Sequence, residues 1–252
     1  MPLKETITGI VILCTNLLEG ITGFGSAVLA LPFLNITIGL HTAVKLLCFF
    51  GWAIPVYIIC RSFRCINLRA FWRVIMWCGP GVPVGLLLFG VLPAEILCII
   101  LGAFMVAIGI NGTRPPKANA ITPEEAGKSP LLRACLFFGG IIQGAFGTGG
   151  PFVVIYAAKA LPDKSLFRVT LSLLWLTVNS IRLAVWGIRG ELSDPALWKL
   201  GLICLPFWAA GVLLGDWLHN KVSEETFRRI VYILLAVSGA VMLLNNLQKL
   251  LA

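Results

Sequence analysis

Charge is what this sequence has least of. Only 12% of its 252 residues are Asp, Glu, Lys or Arg, against about 25% in a soluble globular domain. Such a chain cannot cover a water-facing surface, and a soluble fold is excluded. Histidine is scarcer still. His41 and His219 are the only two, and neither stands in an HExxH, paired-carboxylate or nucleophile-elbow setting, so neither an enzyme nor a metal or other cofactor is expected. Cysteine is present without pattern: Cys14, Cys48, Cys60, Cys65, Cys78, Cys98, Cys135 and Cys204 include no CxxC pair. Most sit inside apolar segments and read as small buried hydrophobes, which excludes a disulfide scaffold. An extended basic stripe interleaved with aromatics is also missing. The net charge of +9 therefore reads as the Lys and Arg bias of membrane loops and not as nucleic-acid binding.

What is there is apolar length: 58% hydrophobic residues and a mean hydropathy of +0.93. A span needs about 20 apolar residues to cross a hydrocarbon core. The uncharged windows place helices near 6–35, 41–60, 72–91, 94–111, 131–157, 166–187, 196–217 and 228–247. The fold class is an all-α, polytopic integral membrane protein of about eight transmembrane helices, placed as a multi-pass protein in the cell membrane, the inner one in a Gram-negative organism. The windows 6–35 and 131–157 exceed one straight crossing and hold clustered glycines. Each is a tilted helix, a helix broken near mid-membrane, or a helix followed by a re-entrant segment. Counting eight simple crossings, Lys4 and the 61–73 loop share a side, which collects twelve of the twenty basic residues, seven fall opposite, and Arg182 is left in the membrane. Both termini are then expected inside.

The polar stretch 113–130, rich in proline and charge, divides the chain into an N-terminal membrane repeat, 1–112, and a C-terminal one, 131–252. The repeat is visible residue by residue. Glu19-Gly20-Ile-Thr-Gly23-Phe-Gly25-Ser26 aligns with Gln143-Gly144-Ala-Phe-Gly147-Thr-Gly149-Gly150 at a displacement of 124. Gly81-Val-Pro-Val-Gly85 pairs with Gly211-Val-Leu-Leu-Gly215 at 130. The two four-residue pairs suit close helix packing. The denser clusters, Gly20/Gly23/Gly25 and Gly144/Gly147/Gly149/Gly150, exceed what a packing seam needs and point to unwound segments that present backbone groups to a solute. They lack the strand–turn–helix setting and the GK[ST] ending of a nucleotide loop.

Polar residues mark the same places. Glu19 and Gln143 precede the clusters in equivalent positions, and Thr22, Ser26 and Thr148 carry hydroxyls within them; in hydrocarbon each needs a protein, water or solute partner. Glu19 is the candidate for a proton relay or a cation partner, against a structural contact, so any proton or ion coupling is asymmetric between the halves. Arg182, in Val178-Asn179-Ser180-Ile-Arg182, is the clearest intramembrane cation; it either meets an anion or snorkels to the interface. Lys45 is a second candidate cation and Asn179 an amide partner. Asp216 and the tryptophans are expected to be structural or interfacial. The partners implied are a small anionic substrate and the lipid bilayer.

Two segments carry a resemblance. Gly-Ile-Thr-Gly-Phe-Gly-Ser-Ala-Val-Leu-Ala-Leu-Pro at 20–32 is similar to the first signature of the sulfite exporter TauE/SafE family, and Gly-Ala-Phe-Gly-Thr-Gly-Gly-Pro-Phe-Val-Val at 144–154 is similar to the second, in the same duplicated placement. The Gly211–Arg229 segment resembles the family's C-terminal pattern. The resemblance implies a membrane transporter of small organic or inorganic anions such as sulfite and related sulfur compounds. Ser26 stands where a third glycine is common, and Pro151 and Tyr156 replace the usual residues of the second signature, so the cargo is left open. The mechanism expected is alternating access, with the glycine segments of both halves at a central site and Arg182 or Lys45 adding positive potential. The other class weighed is a channel-like or structural membrane assembly protein.

Overall fold

The computed structural model describes residues 3–88, 128–161 and 163–251, with separate positions at 99, 102, 103, 105–107, 109, 110 and 125. Among the described residues the regular structure is helical: α1 (Leu3–Thr22), α2 (Ser26–Ile38), α3 (Leu40–Ser62), a short turn of 3-10 helix (Phe63–Cys65), α4 (Leu68–Cys78), α5 (Gly81–Leu88), α6 (Pro130–Phe146), α7 (Gly150–Ala160), α8 (Lys164–Ile188), α9 (Pro195–Lys221) and α10 (Glu224–Leu251). Pro130 and Pro195 open their helices and Pro151 stands in the first turn of α7, where a missing N–H costs nothing. Among the described residues α1, α8, α9 and the helix running Leu40–Cys65 are long and apolar enough to cross a membrane, and the pair α4–α5, bent by 41°, meets the same measure only when taken as one span. That is fewer than the eight of the sequence reading. The helix expected at 94–111 and the connector 113–130 fall mostly outside the described residues.

The two long glycine-rich windows each contain two helices, and the chain reverses between them. In a continuous helix Gly139 and Phe152 are about 20 Å apart, yet a Cβ placed on Gly139 lies 2.8 Å from the Phe152 Cβ. α7 thus folds back along α6. α2 likewise packs against α1, and the Ser26 N–H reaches the Glu19 carboxylate. The turns are Gly23 and Gly25, with φ of +79° and +106°, and Gly147, with φ of +73°. Side chains with a Cβ rarely adopt that left-handed region. Each window is thus neither one tilted helix nor one helix broken in line, but a helix followed by a second that folds back along it.

The described chain divides into two compact units: Met1–Trp72 with Ser165–Lys221, and Arg73–Lys164 with Val222–Ala252. These units are a different partition from the sequence halves, since each draws on both. In the first, α1 lies along α9; in the second, α5 lies along α6. The two seams use corresponding residues. Gly211 sits on the Leu13 carbonyl and the Leu17 amide, Gly215 on the Leu17 carbonyl, and Gly20 on the Val212 carbonyl. In the second unit Gly81 sits on Phe137 and Ile141, Gly85 on the Ile141 carbonyl, and Gly144 on the Val82 carbonyl. Leu13, Leu17 and Gly20 become Phe137, Ile141 and Gly144 at a displacement of 124, and Gly81, Val82 and Gly85 become Gly211, Val212 and Gly215 at 130. At each glycine a side chain would strike main-chain atoms, which is the close approach that small residues permit.

Contacts in the first unit also set its ends. His219 meets Ile21, Arg168 meets Gly23 and Asn67 meets Thr170, so α1, α3 and α9 finish where α8 begins. At the other end Lys45 meets Glu191 and Phe49 meets Trp198. Lys4 and Arg61 therefore lie at opposite ends, which corrects the shared side expected for them. The reversal at Gly23–Gly25 adds one chain passage that the eight-crossing count omits, so Lys45 lies at the Lys4 end and Arg61 at the other.

Candidate functional site

In the first unit the turn between α1 and α2 is held by side chains on all sides. The Glu19 carboxylate accepts the Ser26 N–H at 3.2 Å and also the Ser26 hydroxyl, joining the end of α1 to the start of α2. The Thr22 hydroxyl lies 2.8 Å from the Leu18 carbonyl and 2.7 Å from that of Phe24, so its single proton stays within the turn. The carbonyls that a helix end leaves open are also taken: the Trp175 indole N–H donates to Gly23 at 3.0 Å, and a His219 ring nitrogen stands 2.7 Å from the Ile21 oxygen. Gly20 and Gly23 are pressed against Gly215 and the Arg168 backbone respectively. Glu19, Thr22 and Ser26 are all buried.

The turn in the second unit has the same frame with a neutral residue. Gln143 accepts the Gly149 N–H on its side-chain oxygen at 2.9 Å, and the Gly147 N–H returns to the Gln143 carbonyl at 2.9 Å. Gly149 is packed on the Gly139 carbonyl, and Gly150 opens α7. Thr148 differs from its neighbours: its hydroxyl is buried and has no hydrogen-bond partner. Each unit therefore contains one of the two sequence clusters.

Arg182 is the outstanding polar group of the first unit. It lies inside α8, 1% exposed, with its guanidinium 4.8 Å above the Trp186 ring. Its Nε and Nη2 atoms are buried without a hydrogen-bond partner. Snorkelling is ruled out by that burial. Among the described residues no carboxylate lies within ion-pair distance of it. Cys48 lies beside it, and Asn179, one turn earlier, donates to the Gly51 carbonyl at 2.8 Å. Arg182 is about 10 Å further along α8 than Trp175, the residue that reaches Gly23. The cation and the turn are thus successive features of one helix. Lys45 is differently placed: its ammonium donates to the Glu191 carbonyl at 2.8 Å and pairs with the Glu191 carboxylate at 3.4 Å.

The sequence reading missed one buried network. Arg168, one of the seven basic residues that fall on the opposite side in that count, is 4% exposed and pairs with Asp216 at 2.7 Å; the Tyr57 hydroxyl donates to the same carboxylate at 3.1 Å, and Arg61 approaches it at 3.6 Å. A lone Asp at the end of the uncharged run that follows Lys199 was the available signal, since such a residue in hydrocarbon calls for a cationic partner.

Comparison with known proteins gives consistent matches. The sequence profile of the sulfite exporter TauE/SafE family matches residues 8–242. The chain is 25% identical over 182 residues to the probable inner membrane transporter protein TsaS of Comamonas testosteroni, covering 71% of this chain and 73% of that one. It is also 25% identical over 182 residues to the probable sulfite/organosulfonate exporter TauE of Cupriavidus necator, covering 71% of this chain and 69% of that one. No solved structure gives a significant match.

Proposed function

The chain belongs to the sulfite exporter TauE/SafE family of membrane transporters, and from that premise we propose that it is a secondary carrier of small sulfur-containing anions. It is a multi-pass membrane protein in a family of transporters rather than enzymes. The observation that carries the proposal is Arg182, a cation sealed inside the first unit with two guanidinium nitrogens lacking partners. A buried charge of this kind is costly until an opposite charge meets it. A sulfite or sulfonate oxygen supplies that charge, and a guanidinium fork suits its paired oxygens.

The remaining site residues are assigned by what they hold. Glu19, Gly20, Thr22, Gly23, Gly25 and Ser26 shape the first turn, and Gln143, Gly144, Gly147, Thr148, Gly149 and Gly150 the second. Thr148 offers its unpartnered hydroxyl to the solute. Asn179 steadies α8 against α3 near Arg182, and Lys45, tied to Glu191, contributes only to the local potential. The corresponding seams support two homologous halves, 1–112 and 131–252, joined by 113–130. On this reading the eight crossings are α1, α3, the bent α4–α5 pair, the 94–111 segment, α6, α8, α9 and α10, with α2 and α7 as shorter return legs. Each unit has its own glycine seam, so the units serve as the moving bodies of an alternating-access cycle.

Counterflow in proteoliposomes tests the reading. Saturable exchange of radiolabelled sulfite or an organosulfonate is expected, with sulfate and small carboxylates as competitors of graded strength. Ion conductance without counterflow replaces the carrier by a channel, and selective exchange of carboxylates alone replaces the cargo.

A further inference from the structure

The second unit contains a basic cavity that the transport reading does not use. Its volume is about 460 Å³, and Arg73, Lys128, Arg133, Trp77, Met76 and Tyr156 line it. Three cations meet there, and among its described lining residues there is no carboxylate. The nearest described acid in sequence is Glu125, one turn before Ser129, and its side chain is exposed. The cations are organised by aromatic rings. Arg133 stands 5.0 Å above Trp77, and Tyr156 directs its buried hydroxyl toward Arg73 without a hydrogen bond of standard geometry.

Size and surroundings narrow the ligand. A sulfite ion has four heavy atoms, whereas a cavity of this volume falls in the range of sites for larger organic ligands. Its border is also apolar and open. Met76 lines the cavity and is 60% exposed, and Leu131 and Phe138, on the same helix as Arg133, are exposed as well. In a membrane protein such residues face lipid. A concave cluster of cations and aromatics beside a lipid-facing surface has the features that recognise a phosphate head with its glycerol and first methylenes.

We propose that this cavity binds the headgroup of an anionic phospholipid, with Arg73, Lys128 and Arg133 around the phosphate and Trp77 and Met76 against the glycerol and acyl start. The site ties the Arg73–Cys78 part of α4 to α6 and α7, all within the second unit. It is independent of which anion the protein carries.

Native mass spectrometry of the purified full chain, titrated with phosphatidylglycerol or phosphatidylcholine, tests it. The wild type is expected to retain phosphatidylglycerol with at least about ten-fold preference, and Lys128→Gln, at the exposed rim, to lower that preference about five-fold, the effect of one cation near an anionic surface. The triple variant Arg73→Gln/Lys128→Gln/Arg133→Gln is expected to bring the two lipids to parity, while Arg133→Lys keeps the preference. A preference unchanged by Lys128→Gln overturns the proposal even if the triple variant does not fold. Displacement of the lipid by inorganic phosphate or sulfite overturns it in favour of a soluble-anion site, and glycerol 1-phosphate is expected not to compete. A protein that retains the lipid but fails in counterflow loses the carrier reading and keeps this one.

Discussion

The two helical turns are built on one plan and filled with different chemistry. In both, the side chain at the end of the first helix accepts an N–H from the start of the second: Glu19 from Ser26, Gln143 from Gly149. In both, the adjoining helix presses a glycine seam against the first leg. Yet the first unit adds buried charge, with Glu19, Arg168, Arg182 and Asp216 all sequestered there, whereas the second turn has only neutral groups, Gln143 and Thr148. The shared features are those that close packing dictates. On the proposed function the differences are those a charged cargo and its coupling would require, because a charge inside hydrocarbon persists only with a partner or a task.

The largest effect expected from breaking this asymmetry is on stability. Asp216→Ala leaves Arg168 buried without its carboxylate, a loss of about 3–5 kcal/mol for one partner of a buried pair. Thermal unfolding in detergent reads this as a sharply lowered midpoint. Arg168→Met with Asp216→Leu removes both charges and is expected to recover most of the loss. If the single and double variants unfold alike, the pair is not what holds α8 to α9.

Arg182 comes next, and its effect falls on flux. A hydrogen bond to a charged group contributes about 1.5–3 kcal/mol, so Arg182→Gln is expected to slow counterflow roughly 10- to 150-fold. The protein should remain folded, because the change removes an uncompensated charge instead of creating one. Arg182→Lys keeps the charge and loses the fork, and an intermediate rate is expected. Counterflow at the wild-type rate in Arg182→Gln, with abundance verified, removes Arg182 from the site.

The contrast between the units also shows what a sequence can reveal. Positions of the turns were legible because glycine density at 20–25 and 144–150 signals a helix that cannot continue. Direction was not. A helical period is the same whether the next helix runs on or folds back, so the return of Phe152 to Gly139 left no trace in the pattern. Arg182 was legible as an isolated charge in an apolar run. Arg168 was not, since it lies four residues from Lys164, at a helix start where charges normally face water. The exchange of elements between units was hidden for another reason: the pairing of Gly211 with Leu13 is a long-range choice, and only the recurrence of the glycine spacing hinted that both seams exist.

The seams allow a matched test of that recurrence. Gly215→Leu and Gly85→Leu each insert a side chain where main-chain oxygen already sits, on Leu17 and Ile141. Overpacking typically costs about 1–3 kcal/mol, and equivalent seams should lose equal amounts. Unfolding midpoints lowered to the same extent support one architecture repeated. A large loss at one glycine and none at the other means that the corresponding contacts do not bear equal weight.

The smallest structural effect is expected at Glu19, and there the consequence is functional. Glu19→Gln turns the first junction into a copy of the second, since a Gln oxygen already accepts a backbone N–H at position 143. The acceptor survives and only the charge assistance of the bond is lost, so the cost should stay near 1 kcal/mol. If Glu19 carries the coupling proton, its removal separates two measurements: exchange of labelled anion at equal pH continues, while net flux stops responding to an imposed proton gradient. Gln143→Asn, which leaves Glu19 in place, keeps that response. If Glu19→Gln leaves the gradient response intact, the carboxylate is only a latch between α1 and α2, and the asymmetry in buried charge rests on Arg182 and the Arg168–Asp216 pair.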